Sequence, residues 1–147
     1  MSQHTDLYDT DFYVWTQEQA ALLRDGKARD LDWTNLAEEI ESLGRSDRRA
    51  LGSYLQVVVM HLLKWQYQPA ERSRSWRQSL CTGRDAVADL LDESPSLRPQ
   101  LGALLAKHYP RARRDARGDT GLPLATFPDT CPWEVEQVLD ENFFPEG

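Results

Sequence analysis

Val57-Val58-Val59-Met60-His61-Leu62-Leu63 decides the fold. It is apolar on every side except for one imidazole. It sits inside a long stretch of helical periodicity, and a helix that is apolar all round belongs at the centre of a protein. Working backwards, steps of 3.6 residues from Leu36 land on Ile40, Leu43, Asp47, Leu51, Tyr54, Val58, His61 and Trp65, which is the repeat of a buried stripe. The stretch starts near Asp32 or Thr34, both good N-caps. It ends about Tyr67, before Pro69, because the residue ahead of a proline is pushed out of the helical region. A single helix of that length would be about 50 Å long. It would also centre the Asp47 carboxylate in the stripe, at a desolvation cost. A break at 44–46 avoids this: Gly44 ends one helix, Ser46 caps the next, and Asp47 sits in a first turn.

Flanking segments read the same way. A helix from Asp11 to Asp25 carries Phe12, Trp15, Gln19, Leu22 and Leu23 as its stripe, with Gly26 after its end. A helix over about Glu71–Glu93 aligns Trp76, Leu80, Gly83, Val87, Leu90 and Leu91. Gly83 lowers helix propensity by about 1 kcal/mol against Ala, which a close helix crossing would justify. A fourth helix, capped by Ser96, runs from Leu97 to about Arg117 with Leu97, Leu101, Leu104, Leu105, His108 and Ala112 inside, kinked at Pro110. Residues 118–147 are irregular apart from a short helix opened by Pro132 and ending about Asp140. Their aromatics, Phe127, Trp133, Phe143 and Phe144, are too many to float free. The expectation is one all-α domain over residues 1–147: a bundle of four or five helices with an extended, docked C-terminal tail and a short terminal helix.

The 147 residues hold 17 Lys+Arg against 24 Asp+Glu, a formal charge of −7. The sign is not uniform. Residues 1–41 carry −7, residues 42–117 carry +7 and residues 118–147 carry −7. The compact solution folds the acidic ends over the basic middle; the alternative leaves the middle as an anion-binding surface. There is no apolar run of transmembrane length and no secretory signal pattern. The two cysteines, Cys81 and Cys131, make no disulfide framework. A cytoplasmic protein with reduced thiols and no membrane association is expected.

No nucleotide-loop, zincin, nucleophile-elbow, helix-turn-helix or zinc-finger motif is present, so no catalytic residue is assigned. Three weaker constellations remain. His61 and His108 lie on inner helical faces, with Glu39 at a stripe edge, and imidazole with carboxylate suits metal binding. A buried hydrogen bond for each histidine is the simpler reading. The run from Lys64 to Arg77 alternates aromatics with bases and donors. Its Lys64, Gln66, Tyr67, Arg72, Arg74 and Arg77 form a candidate binding surface for an anion or single-stranded nucleic acid. The competing reading puts Trp65 and Trp76 in the core and pairs Arg72 with Glu39 or Glu41. Finally Arg111, Arg113, Arg114 and Arg117 suit a helix C-terminus or a docking surface for an acidic partner or for the chain's own acidic tail. Cys131-Pro132 resembles the dipeptide seen where heme binds regulatory proteins, but a proline opening a helix accounts for it. No cofactor is implied.

Several blocks also carry a family likeness: Asp11-Phe12-Tyr13-Val14-Trp15, Asn35-Leu36-Ala37-Glu38-Glu39-Ile40-Glu41-Ser42-Leu43-Gly44, His61-Leu62-Leu63-Lys64-Trp65-Gln66-Tyr67-Gln68-Pro69, Ser73-Arg74-Ser75-Trp76-Arg77, Ser94-Pro95-Ser96-Leu97-Arg98-Pro99, Thr120-Gly121-Leu122-Pro123 and Cys131-Pro132-Trp133. Together they resemble a bacterial family, domain of unknown function 29, common in cyanobacteria and proteobacteria, over about residues 7–146. The resemblance implies a small, mostly helical bacterial protein and brings no activity.

The functional expectation is a non-catalytic protein–protein interaction or regulatory module with an unidentified protein partner, self-associating as a homo-oligomer. A nucleic-acid regulator is the disfavoured alternative. It would use an exposed patch of Arg45, Arg48, Arg49, Arg72, Arg74 and Arg77. A metal-dependent bundle enzyme comes third.

Overall fold

The computed structural model describes residues 3–146. It is all-α: six α-helices joined by short 3-10 turns, with no strand among the described residues. The helices are α1 (Gln3–Thr10), α2 (Phe12–Arg24), α3 (Trp33–Tyr67), α4 (Arg74–Glu93), α5 (Leu101–Thr120) and α6 (Val135–Leu139). None is long and apolar enough to cross a membrane. The chain forms two compact units, one up to Ser46 and one from Asp47 onward.

The first unit holds α1, α2 and the first part of α3. Asp11 caps α2 by accepting from Val14 N at 3.2 Å. Asp32 caps α3, accepting from Asn35 N at 3.4 Å. Asp32 is also the unit's polar centre: it accepts from Trp15 Nε1 at 3.1 Å and Asn35 Nδ2 at 2.8 Å, and its own N–H donates to Gln19 Oε1 at 2.8 Å. Trp15, Gln19, Leu31 and Asp32 are buried. The expected α2 stripe is therefore only half right, since Phe12 and Leu23 are 48% and 56% exposed.

The expected break at 44–46 does not occur, and α3 is one helix through Gly44. The reason for expecting a break also disappears. Ile40 and Leu43 are 67% and 68% exposed, so Asp47 is not at the centre of a buried stripe. Gly44 has open space around it.

In the second unit the apolar run is not enclosed on every side as expected, since Val57 is exposed, as is Tyr54 of the expected stripe, but Leu51, Leu55, Val58, Val59, Leu62 and Leu63 of α3 are fully buried. They pack in one core with Leu80, Val87 and Leu91 of α4 and Leu101, Leu104, Leu105, Tyr109, Ala112 and Ala116 of α5. Two glycines on α3 and α4 permit this packing. A Cβ on Gly83 would stand 2.6 Å from Val58 Cγ2, and one on Gly52 would stand 2.3 Å from His108 Nε2. The crossing expected at Gly83 is present; the one at Gly52 went unread.

Helix starts differ from expectation in three places, each with a local cause. A 3-10 turn over Pro69–Glu71 delays α4, which Ser73 caps by accepting from Trp76 N at 3.2 Å. Pro95–Gln100 is 3-10 rather than α, with no cap from Ser96. Its first turn is closed instead by a 3-10 bond, Leu97 N donating to Ser94 O at 3.0 Å. α6 starts at Val135, not Pro132, because Glu134 and Gln137 form a reciprocal capping box there. α5 ends on Gly121 at φ +73°, the left-handed conformation glycine adopts without steric cost.

After Gly121 the tail docks onto the helices, with Phe127, Trp133 and Val138 entering the core. The charges do this differently from expectation. Among the described residues from 118 onward, only Asp119 at the end of α5 (to Lys64, 3.1 Å) and Asp129 in the tail (to Arg113, 3.0 Å) make ion pairs. Most of the tail is held by arginines donating to its backbone carbonyls. Arg84 Nε reaches Val138 O at 2.8 Å and its Nη2 reaches Phe143 O at 2.9 Å. Arg113 donates to Phe127 O at 3.2 and 3.0 Å, and Arg72 to Pro145 O at 3.4 Å. An extended tail has carbonyls without ladder or helix partners, and guanidinium forks satisfy them.

Candidate functional site

α3 ends at Tyr67, the chain turns through Pro69–Glu71, and α4 begins at Arg74. This reversal brings Trp65, Arg72, Ser73, Arg74 and Arg77 around one open pocket of about 420 Å³. The Trp65 ring is its floor, 5% exposed. The Arg72 guanidinium lies 4.9 Å from the ring centroid, with Nε donating to Trp65 O at 2.8 Å. The Arg77 guanidinium stacks 5.0 Å from both the Trp65 and the Phe144 rings. Trp65 and Phe144 are themselves 4.9 Å apart. No carboxylate among the described residues lies within ion-pair distance of Arg72, Arg74 or Arg77. Arg72 thus finds carbonyls where a Glu39 or Glu41 carboxylate was expected: Glu39 accepts from the Tyr8 hydroxyl, and Glu41 faces Arg45 at 3.8 Å.

Of the six surface residues expected to act together, the pocket unites Arg72, Arg74 and Arg77. Lys64 is diverted, its ammonium 4.7 Å over the Trp76 ring and paired with Asp119. Tyr67 packs edge-on against Phe127 at 5.4 Å. Gln66 is half-buried, with Oε1 lacking a partner. The faces that a nucleobase would stack on are therefore occupied: Trp65 by two guanidiniums and Phe144, Trp76 by Lys64, and Tyr67 by the core. Of the wider arginine patch, Arg45 pairs with Glu38 at 2.8 Å and Arg48 donates to Gln100.

The histidines have separate partners. His61 Nδ1 is 2.9 Å from Val57 O on its own helix. His108 Nδ1 is 3.0 Å from Gln56 Oε1 across the α3–α5 contact. Burial lowers the pKa of both, and Arg111, Lys107 and Arg48 lower that of His108 further. Glu39, bonded to Tyr8, pushes that phenol up to about 12. Among the described residues, no three His, Cys, Asp or Glu side chains group as a metal cradle.

A second feature escaped the sequence reading. α5 and the tail enclose an open groove of about 950 Å³. Leu101, Leu105, Tyr109, Val135 and Leu139 are its apolar lining, Gly102 and Ala106 a ridge of small residues, and Asp129, Glu134, Glu136 and Asp140 acids against the single base Arg98. Two groups in it are locked. Tyr109 Oη donates to Pro128 O at 2.6 Å, and Cys131 Sγ to Trp133 O at 3.4 Å. Burial raises the pKa of both. The groove could not be read earlier because its walls lie far apart in sequence.

No curated protein and no solved structure matches the chain. One family model does, over residues 7–144, nearly the whole of a fold whose arginine-clamped tail is part of its core, and the chain therefore belongs to the family described as Domain of unknown function DUF29.

Proposed function

We propose that this protein is a non-catalytic interaction module whose α5–tail groove takes a basic, amphipathic helical segment of a partner protein. The observation that carries this reading is the groove's chemistry: an apolar floor beside four carboxylates and one guanidinium. An amphipathic helix laid in a groove uses apolar anchors at i, i+3/i+4 and i+7, and bases on its flanks would complement the rim. The exposed Gly102 and Ala106, one helical turn apart on α5, let a second helix approach closely. The nucleophile-bearing side chains in the groove support binding over chemistry, because Tyr109 and Cys131 are both hydrogen-bonded and held in their neutral forms.

The test is a fluorescence-anisotropy titration of the full chain with a synthetic Leu/Lys amphipathic helical peptide and its Leu/Glu counterpart. Only the Leu/Lys peptide should bind. Gly102→Trp should abolish binding, since position 102 has open space for a side chain and the substitution fills the groove without disturbing the core. Equal binding of both peptides, or binding that survives Gly102→Trp, overturns the reading. If sedimentation shows a dimer that Gly102→Trp dissolves, the occupant is a second copy and the partner assigned here is wrong.

A further inference from the structure

The pocket at the α3–α4 reversal is a second site, separate in its residues from the groove. Arg72 and Arg77 also hold neighbours in the fold, through carbonyls and aromatic rings, but their charges are not balanced by any carboxylate among the described residues. Like charges brought together repel, and folded proteins normally offset this with a carboxylate. Here three arginines line one cavity of about 420 Å³, with no ion-pair partner among the described residues. The cluster is also oriented. The Arg77 guanidinium lies 5.0 Å from both the Trp65 and the Phe144 centroids, which anchors it beside the two rings, and its side chain makes no hydrogen bond among the described residues. Arg72 is pinned by Trp65 O and Pro145 O through Nε and Nη2, which leaves its other terminal nitrogen free. Arg74 is exposed and has no hydrogen bond of its own side chain among the described residues. Ser73 caps α4 from the pocket wall, so the first N–H groups of a 20-residue helix add positive potential at the same place.

We propose that the Trp65–Arg72–Ser73–Arg74–Arg77 pocket binds a phosphomonoester through its tetrahedral dianion. Guanidinium forks match phosphate oxygens bidentately, and a dianion offsets the clustered charge. The occupied aromatic faces exclude recognition by base stacking, so a compact phosphate on a small body fits better than a nucleic-acid strand.

The experiment is calorimetric and ³¹P-NMR titration of the full chain with inorganic phosphate, then O-phosphoserine, then an oligothymidylate, at constant ionic strength set with chloride. Phosphate and phosphoserine should each bind saturably at one site. Arg74→Ala should weaken both by about tenfold or more, the loss expected for a charge-assisted contact. It cannot act through folding, because Arg74 supports nothing else. Arg77→Met, checked by its melting curve, should do the same. Arg114→Ala, an exposed arginine on α5, and Gly102→Trp should leave binding unchanged. An absence of saturable phosphate binding overturns the proposal. So does an equal loss in Arg114→Ala, which would mean diffuse charge attraction. Binding of oligothymidylate without binding of phosphoserine also overturns it, in favour of a nucleic-acid surface. Failure of the peptide titration above leaves this result untouched, since the two sites share no residue.

Discussion

Gly52→Ala should destabilise the protein although alanine is the better helix former. The added Cβ would sit 2.3 Å from His108 Nε2, 2.7 Å from its Cδ2 and 2.9 Å from its Cε1. Non-bonded heavy atoms rest at about 3.5–4.0 Å, so the ring must move by roughly 1 Å or the helices must part. The ring has little freedom: His108 is 7% exposed and tied through Nδ1 to Gln56 Oε1 at 3.0 Å. Overpacking of this kind costs about 1–3 kcal/mol, and the helix-propensity gain returns at most about 1 kcal/mol. At the middle of these figures the net loss is about 1 kcal/mol, or roughly 2–4 °C in Tm for a chain of this size. Urea unfolding with a double-mutant cycle isolates the cause. In a His108→Ala background the ring is gone, and Gly52→Ala should become neutral or stabilising by up to about 1 kcal/mol. Gly102→Ala, with nothing within 4 Å of its Cβ, supplies the opposite sign in the wild-type background: a gain of about 0.5–1 kcal/mol. If Gly52→Ala is as stable as the parent, or costs as much without His108, the packing argument fails.

Other consequences follow from the tail and the titratable groups. Arg84→Met keeps the length of the side chain but leaves Val138 O and Phe143 O without their donor; we expect a loss of about 2–4 kcal/mol and faster proteolysis C-terminal to Gly121, and unchanged protease resistance would contradict the clamp. His61 and His108 both have lowered pKa values in the folded state, so the unfolded chain binds more protons just below the ordinary value of 6.5. Stability is therefore fully present above that pH and falls as the pH drops through and below it. Urea midpoints at about pH 7.5 and pH 5.5 should show the fall, and His108→Gln should shrink it. Cys131, half-buried with its thiol pKa raised by desolvation, should react with a disulfide reagent more slowly than exposed Cys81; equal rates in the native protein would mean that the tail segment carrying Cys131 is not docked.

Much of the fold was legible in the local pattern because helix formation and burial leave a periodic mark. The all-round apolar run from Val57 to Leu63 fixes the central helix. The stripes of α4 and α5 name their own inner faces, and Gly83 announces a crossing. Gly52 announced nothing, because its meaning depends on His108, more than fifty residues away. The continuity of α3 through Gly44 was misread for a related reason. Periodicity shows which residues could share a buried face, but only the packing partners decide whether that face is covered, and at Ile40 and Leu43 it is not.

The candidate sites divide along the same line. The sequence pattern located the basic aromatic stretch that contains the three pocket arginines. It could not show that Lys64 and Tyr67 turn to other partners, that Phe144 closes the Arg77 stack, or that arginines hold the tail by its carbonyls. The sequence by itself determined an all-α chain, its central helix, its family and its acidic–basic–acidic charge order, since each of these is written in neighbouring residues. Only the tertiary structure decided which arginines donate to carbonyls and which gather around a pocket without a carboxylate, Arg72 doing both. A backbone carbonyl carries no residue-specific signal, so nothing in the sequence marks it as the partner a guanidinium will find.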